Sequence, residues 1–302
     1  MKATFWTLTT TAVLAVIPYH FLYDETAISG RTLLVIGALG LPLFLLYLQY
    51  SWSWDELLGT NVDPVSIALS GLAGLAIWPI AWWLMGWLQD EVLFDLTGAY
   101  SSPAIYRPTN LESIWTLLVI TDVVIIPLAL MLLLWGAARW QLQRSNKLPA
   151  TLILAFYAGV LGMLLFRQGI VGFVGYGLCG LVAAVVSLQT RSAWAGLATQ
   201  GVFVYADLDL LDNLTTQMAK RSEDGTITGI EPYWGMQWLA LVLISALVVV
   251  ALLQVIRFRH ERQTNKAEPL NWTLGTSAAF GVSLLVVVFV FTDEIIRRVG
   301  GS

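Results

Sequence analysis

Long apolar runs separated by short polar segments cover most of this sequence. The runs lie near residues 3–22, 32–50, 64–88, 113–137, 149–166, 169–188, 192–208, 235–256 and 273–292. Most approach the length of about 20 residues that an α-helix needs to cross a hydrocarbon core of about 30 Å. The pattern predicts an all-α polytopic transmembrane bundle of about nine spans. The span at 192–208 is the weakest, because it contains Gln200 and runs into Asp207.

The composition favours lipid as the surroundings of this chain. Of the 302 residues, 57% are hydrophobic and 12% are charged, whereas a soluble domain has about 25% charged residues. The longest connections, 89–112 and 209–234, leave no room for a soluble domain, so we expect residues 1–302 to form one integral membrane domain. A formal charge of −4 without a Lys/Arg-rich stripe argues against a nucleic-acid partner.

The basic residues predict the orientation of the chain. If the spans alternate, nine basic residues fall on one side and seven on the other, and the nine include those in the short connections 139–147 and 257–266. By the positive-inside rule, that side is cytoplasmic, with the N-terminus in and the C-terminus out. The first run has one basic residue, Lys2, before it and no small-residue cleavage site, so we expect a retained helix. The expected location is a prokaryotic plasma membrane.

One carboxylate is predicted at membrane depth. Asp122 lies midway along the fourth span, five residues before Pro127, and an intramembrane carboxylate is a candidate functional group. A structural role stays open as well. In that case Asp122 is protonated or hydrogen-bonded, and its partner is Thr121, Gln200 or a carbonyl freed by the proline.

Residues able to bind a metal are few and dispersed. Cys179 is the only cysteine, which excludes a disulfide and a cysteine metal cluster. His20 and His260 are predicted at opposite faces of the membrane, so they cannot share a metal. An acidic cluster follows the seventh run and consists of Asp207, Asp209 and Asp212. It could bind a cation, but a structural or solvated role is favoured because oxygen-only sites need more ligands. We expect no metal and no cofactor.

Small and aromatic residues indicate packing and depth. Five glycines in the sixth run allow close helix approach and predict the centre of the bundle near this span: Gly169, Gly172, Gly175, Gly177 and Gly180. Tryptophans such as Trp52, Trp54 and Trp87 flank the runs, and we interpret them as interfacial anchors rather than as the lining of a pigment or quinone site.

Three separated regions of the sequence share residues and spacings with the motifs of one family of membrane proteins. The first motif of the family reads roughly P-x-x-E-E-x-x-F-R-G. Pro127 and Gly136 stand at its spacing, and the two glutamate positions fall on Leu130 and Met131. The arginine position falls on Trp135.

The second motif, F-x-x-x-H, has no histidine in this chain. It falls on Tyr157 and Leu161, or one residue earlier on Phe156 and Val160. Upstream, the segment 54–59, Trp-Asp-Glu-Leu-Leu-Gly, is similar to the W-x-x-L-G entry of the family.

The third region keeps the framework of the family pattern and loses its chemistry. Gly180 and Ala184 form a small-xxx-small pair, and the polar turn Thr190–Trp194 follows. The histidine and asparagine of the H-x-x-x-N pattern fall on Gln200 and Val204.

Taken together, these regions resemble the CPBP family, the intramembrane metalloproteases related to CAAX prenyl endopeptidases. The resemblance covers about residues 50–205 and implies a CPBP-like core, with additional spans over 235–292. It implies that paired glutamates and histidines activate water for peptide hydrolysis in the family. Leu130 and Met131 can neither bind a metal nor accept a proton, and Trp135 cannot replace the charge of an arginine. We therefore expect a degenerate member without protease activity.

The predicted function is that of a non-catalytic accessory, scaffold or assembly subunit of a larger membrane complex. Its expected partners are membrane lipid and other integral membrane proteins. Two alternatives stay open. A membrane hydrolase could use Asp122 with the 207–212 aspartates, although their depths differ. A small-solute transporter is also possible, although no internal repeat is visible.

Overall fold

Helices account for nearly all of the described chain. The computed structural model describes residues 2–20, 28–50, 53–59, 63–93, 96, 120–143, 147–166, 169–207, 219–221, 227–230, 236–260 and 273–300. Its first four helices are α1 (Lys2–His20), α2 (Ile28–Tyr50), α3 (Trp54–Leu58) and α4 (Pro64–Trp87), which a π-helical turn extends over Leu88–Leu93. The later long helices are α7 (Lys147–Leu165), α8 (Gly169–Thr190), α9 (Ala193–Tyr205), α10 (Met236–His260) and α11 (Leu274–Gly300).

Between α4 and α7 lies one helix of mixed geometry, called here the 120–142 helix. It is π-helical over Ile120–Ile125, α-helical in α5 (Ile126–Leu130), π-helical over Met131–Ala138 and α-helical in α6 (Arg139–Leu142). Two short strands, β1 (Ala219–Arg221) and β2 (Ile227–Ile230), pair antiparallel in the connection before α10. The sequence pattern did not predict these strands.

Six helices among the described residues are long and apolar enough to cross a membrane, namely α2, α4, α7, α8, α10 and α11. The prediction of a polytopic helical membrane protein is confirmed at this level. Two further apolar helices are shorter, at Thr4–Tyr19 and Ile126–Leu142. The predicted seventh span corresponds to α9, whose 13 residues extend only about 20 Å at 1.5 Å per residue.

The tightest packing lies around α8, which contacts α4, α7 and α9. A Cβ atom at Gly180 would collide with Ala158 of α7, and one at Gly175 would collide with Met85 of α4. Close approach of helices through glycine is common in lipid. The hydrophobic effect does not drive helices together there, so close packing has to hold them. The expected packing role is therefore confirmed at these two glycines.

A buried hydroxyl cluster joins α1, α7 and α11. Thr9 Oγ1 lies 3.1 Å from Tyr157 Oη and 3.1 Å from Ser283 Oγ, and it donates to the carbonyl of Ala279 at 3.0 Å. Ser283 also donates to Tyr157 Oη at 3.3 Å. Hydrogen bonds between transmembrane helices contribute about 0.6 kcal/mol each on average. The cluster therefore holds the C-terminal helix to the first one.

One end of the bundle carries α3, and it is called here the α3 end. There Asp63 caps α4 by accepting from the Val65 N–H, and it also accepts from Arg259 of α10 at 2.6 Å. Ser66 donates to the same carboxylate and lies 3.1 Å from His260 Nε2. Partial desolvation raises the pKa of Asp63, but the hydrogen bonds from Arg259 and Ser66 outweigh it, so the pKa lies below its ordinary value. The end of α10 is thus attached to the start of α4.

At the opposite end, a buried ion pair on α11 reaches the start of α8. Arg298 contacts Glu294 at 2.8 Å, and both side chains are almost fully buried. The other oxygen of Glu294 accepts the Ile170 N–H at 2.8 Å. A carboxylate at a helix N-terminus is favourable because unpaired N–H groups and the helix dipole concentrate positive charge there. Glu294 therefore fixes α11 against α8.

Candidate functional site

Three of the candidate positions lie on the irregular part of the 120–142 helix. Pro127 is the second residue of α5. Proline has no backbone N–H to donate, and its ring clashes with the carbonyl of the preceding helical turn. Leu130 ends α5, while Met131 and Trp135 lie in the following π-helical segment. All three side chains are buried. Single π turns occur often at functional sites. This segment is therefore a candidate location for a functional site.

The side chain of Trp135 is hydrogen-bonded to that of Gln200. The indole Nε1–H donates to Gln200 Oε1 at 2.7 Å, and both residues are buried. The sequence pattern aligned these residues with two separate motifs 65 positions apart, and the structure brings them into direct contact. A neutral indole–amide bond satisfies both groups, but it supplies no charge and no proton acceptor stronger than an amide oxygen.

Small residues of α9 bring these side chains close together. A Cβ atom at Gly196 would lie 2.5 Å from Trp135 Cγ, so the indole rests directly on the α9 backbone. On the other side of α9, Gly74 of α4 touches the backbone at Thr199, whose hydroxyl donates to the carbonyl of Ser70 at 3.0 Å. The helix that carries Gln200 is therefore clamped between α4 and the 120–142 helix.

The remaining candidate positions are apolar and buried. Val204 and Leu161 have no exposed surface, and the same holds for Leu130. Tyr157, at the other position of the second motif, belongs to the hydroxyl cluster with Thr9 and Ser283. The five aligned positions, Leu130, Met131, Trp135, Gln200 and Val204, therefore form packing and one neutral hydrogen bond. That arrangement can neither activate a water nor bind a cation.

Arg139 is buried, although the sequence pattern placed it in the short basic connection 139–147. Its Nε donates to the carbonyl of Trp135 at 2.6 Å, and its Nη2 donates to the carbonyls of Leu57 at 3.1 Å and Glu56 at 3.4 Å. The carbonyls of Glu56 and Leu57 belong to the last turn of α3, where backbone acceptors lack helical partners and a cation is favourable. Arg139 therefore docks α3 onto the 120–142 helix.

The local sequence makes α3 well suited to this docking. Ser53 and Glu56 form a capping box at its start. Gly59 ends the helix at a φ of +85°, a left-handed value that favours glycine. A Cβ atom there would also collide with the carbonyl of Arg191. The segment 54–59 thus acts as a short surface helix anchored between α6 and the turn before α9.

The carboxylate that the sequence predicts at membrane depth belongs to the first π-helical segment of the 120–142 helix. Asp122 lies within Ile120–Ile125, and its side chain is outside the described residues. Of its expected partners, Thr121 lies 3.1 Å from Thr32 of α2, and Gln200 accepts from Trp135. The assignment of Asp122 as functional or structural stays a prediction.

A second carboxylate proves to be buried. Asp207 follows α9 and accepts a hydrogen bond from Tyr176 of α8 at 3.2 Å. Its exposed fraction is 3%, so the solvated alternative for the acidic cluster is wrong at this residue. Tyr176 holds Asp207 because its ring stacks on Phe166 and meets Phe203 edge-on. Asp209 and Asp212 lie outside the described residues.

The histidines do not come together in a described site. His260 lies beside Ser66 at the α3 end, and the side chain of His20 is outside the described residues. Within the described ranges, no group of three or more His, Cys, Asp or Glu residues is placed to hold a metal ion. Cys179 is buried in α8.

The comparisons with known proteins leave the chain without an assigned relative. No protein-family model matches it, and neither a curated protein nor a solved structure is detectably similar to it. The resemblance to the CPBP family therefore rests on the residues quoted above.

Proposed function

We propose that this chain is a non-catalytic, CPBP-like membrane protein that serves as an accessory, scaffold or assembly subunit of a larger membrane complex. The observation that carries the proposal is the state of the five aligned positions. They are buried, four of them are hydrophobic residues, and the remaining polar group, Gln200, accepts the hydrogen of Trp135. A protease at this place would need ionisable groups and a water-filled space.

The packing around these positions supports a purely structural role. Replacing buried charged groups by apolar ones removes the cost of holding charges away from water. Gly196 and Trp135 fit closely, and Arg139 uses its donors on backbone carbonyls. The helices are thus held by contacts that a rigid docking surface needs and that a catalytic centre does not.

The outward faces of the C-terminal helices supply the docking surface in this proposal. In α10, only 17% of the apolar stretch Leu239–His260 is buried within the chain. Leu247 of α10 and Leu285 of α11 are 72% and 67% exposed. These helices lie outside the CPBP-like region of residues 50–205, so we assign partner binding to them.

Photo-crosslinking from one helix tests this assignment. A photoreactive amino acid replaces Leu247, and the matched control replaces Ile256 on the same helix, which is fully buried. A subunit role predicts one discrete protein adduct from position 247 and none from position 256. Lipid adducts alone at position 247, and equally at Leu285 of α11, would contradict it.

We also propose nine crossings of a prokaryotic plasma membrane, with the N-terminus inside. Two contacts support the alternation: Arg259 reaches Asp63, and Glu294 reaches Ile170, as expected if each pair of helix ends lies on one side. The sole cysteine, Cys179, is buried and should not react with thiol reagents. Ser145→Cys should then be protected from an impermeant reagent in intact cells, and Gln168→Cys should react. The opposite pattern would reverse the orientation.

A small-solute transporter is a second candidate, which one observation favours. The distance along the helix axis from the first residue of α9 to Asp207 is about 20 Å. This length is shorter than the hydrocarbon thickness of about 30 Å. A buried carboxylate at the end of a short helix resembles the interrupted helices around transporter sites. Saturable flux in proteoliposomes that Asp207→Asn abolishes and Asp293→Asn leaves unchanged would establish this function.

A further inference from the structure

An apolar pocket opens between α2, α3 and the 120–142 helix. Its volume is about 270 Å³, and its lining comes from Gly40, Leu43, Phe44 and Tyr47 of α2, Trp54 and Leu57 of α3, and one leucine of the 120–142 helix. No charged side chain lines it. The candidate positions at Trp135 and Gln200 do not contribute to it.

The pocket runs from the membrane surface into the hydrocarbon. Its shallow end is marked by Tyr47, one turn before the end of α2, and by Trp54 at the start of α3. Tyrosine and tryptophan concentrate at the headgroup level of membrane proteins. Gly40 lies seven residues earlier, or about 10 Å deeper along the helix. The long direction of the pocket therefore follows the direction of the lipid tails.

One wall of the pocket is held in place, and the opposite wall leaves space beside it. On one side, Leu57 is held because Arg139 donates to its carbonyl at 3.1 Å. On the other side, Gly40 contributes no side chain, and a Cβ atom there would have no other atom within 4 Å. Because the lining lacks contacts beside Gly40, an apolar group that enters the space gains dispersion energy.

The pocket is continuous with a face of α2 that points away from the bundle. Phe44 lines the pocket and is 57% exposed, and Leu41 and Leu48 on the same helix are exposed as well. For a helix that crosses a membrane, such a face meets lipid tails. An acyl chain can therefore enter sideways from the adjoining leaflet, without passing through water.

We propose that this pocket binds the acyl chain of a phospholipid from the adjoining leaflet, with the headgroup at Tyr47 and Trp54. The acyl chain suits the site because the lining from α2, α3 and the 120–142 helix is apolar along its whole length. The bound chain would complete the contact between α2 and α3. The proposal does not depend on the proposed subunit function, because it uses neither α10 nor the aligned positions.

The test uses a phosphatidylethanolamine with a photoreactive diazirine in one acyl chain, incorporated into vesicles with the full-length protein. Two variants fill the pocket: Gly40→Phe from its deep end, and Leu43→Trp, whose side chain leans back over residue 40 as helical side chains do. The matched control is Gly37→Phe. Gly37 also has no atom within 4 Å of a built Cβ, but it lies outside the pocket. Each variant must elute and melt like the unmodified protein.

The expected result is adducts concentrated on Leu43, Leu57 and Leu132. Filling the pocket should lower this labelling at least about fivefold, because the chain loses its contacts there. Gly37→Phe should leave it unchanged. Equal labelling in the filled and control variants would overturn the proposal. So would labelling spread evenly along α2, or a protein partner crosslinked within the pocket. If Gly40→Phe misfolds, Leu43→Trp decides the question alone.

Discussion

A single methyl group at Gly196 tests how tightly the aligned positions are packed. In Gly196→Ala, the new Cβ would lie 2.5 Å from Trp135 Cγ and 2.8 Å from Trp135 Cβ. Those atoms are at the base of the side chain, so rotating the indole plane cannot move them away. Either α9 and the 120–142 helix separate, or the tryptophan changes rotamer. Both movements stretch the 2.7 Å hydrogen bond to Gln200.

The free energy of unfolding should fall by about 1–3 kcal/mol. Overpacking a close-packed core costs about 1–3 kcal/mol, and a weakened hydrogen bond costs about 0.5–1.5 kcal/mol. Against these, alanine is a better helix former than glycine by about 1 kcal/mol. The steric and hydrogen-bond costs therefore outweigh the gain in helix propensity.

The measurement is reversible unfolding in mixed micelles, with helicity followed by circular dichroism. Gly201→Ala is the matched control, because it lies on the same helix and a Cβ atom there meets nothing within 4 Å. The control should be unchanged or more stable by up to about 1 kcal/mol. If the two alanine variants unfold together, the close contact between Trp135 and α9 does not exist, and the packed-core argument fails.

Three further predictions concern the charged groups. Arg139→Met should destabilise the protein by about 3 kcal/mol, because α3 loses charged hydrogen bonds, and limited proteolysis should then cut near α3; undiminished resistance would contradict this. Glu294→Gln should lower the unfolding free energy by about 3–5 kcal/mol by leaving Arg298 buried without its partner, and adding Arg298→Met should restore much of it. The pKa of Asp63 is lower in the fold than its ordinary 3.8, so its contribution is present above that pH and lost as pH falls through the folded pKa. As the pH is lowered from 7 to 3, the melting temperature of the unmodified protein should therefore fall more than that of Asp63→Asn.

Much of the helical architecture follows from the apolar runs alone. A run of about 20 apolar residues must satisfy its backbone internally in lipid, which leaves a helix as the solution. The long helices α4, α8 and α10 accordingly lie where the runs were found. The pattern is less informative for α9, because thirteen residues with one glutamine carry too little hydropathy to show where the helix ends.

The burial of Arg139 could not be read from the sequence. An arginine at the end of an apolar run usually extends to the headgroup region, and here it turns back to the carbonyls of α3 instead. The signal was present in the segment 54–59, since a five-residue helix has unpaired carbonyls that need a donor. What selects the donor is the approach of two helices that are about 80 residues apart in sequence, and no local pattern records it.

The contact between Trp135 and Gln200 shows the same limit at the candidate site. Motif spacing identified both positions, because each was compared with a family pattern. Neither residue type by itself predicts the other as its partner. The pairing depends on Gly196, whose missing side chain lets the indole reach α9. What an indole and an amide do at these two positions can therefore be judged only once the helices are in place.

Isolation of the tagged chain from its native membranes, in mild detergent and with quantitative mass spectrometry, is the most direct test of the subunit role. A tagged polytopic membrane protein of unrelated sequence is the control. A subunit role predicts a fixed set of membrane proteins that accompany this chain at a constant molar ratio across detergents. Recovery of the chain alone, together with cleavage of a membrane-embedded peptide by the purified protein, would contradict it.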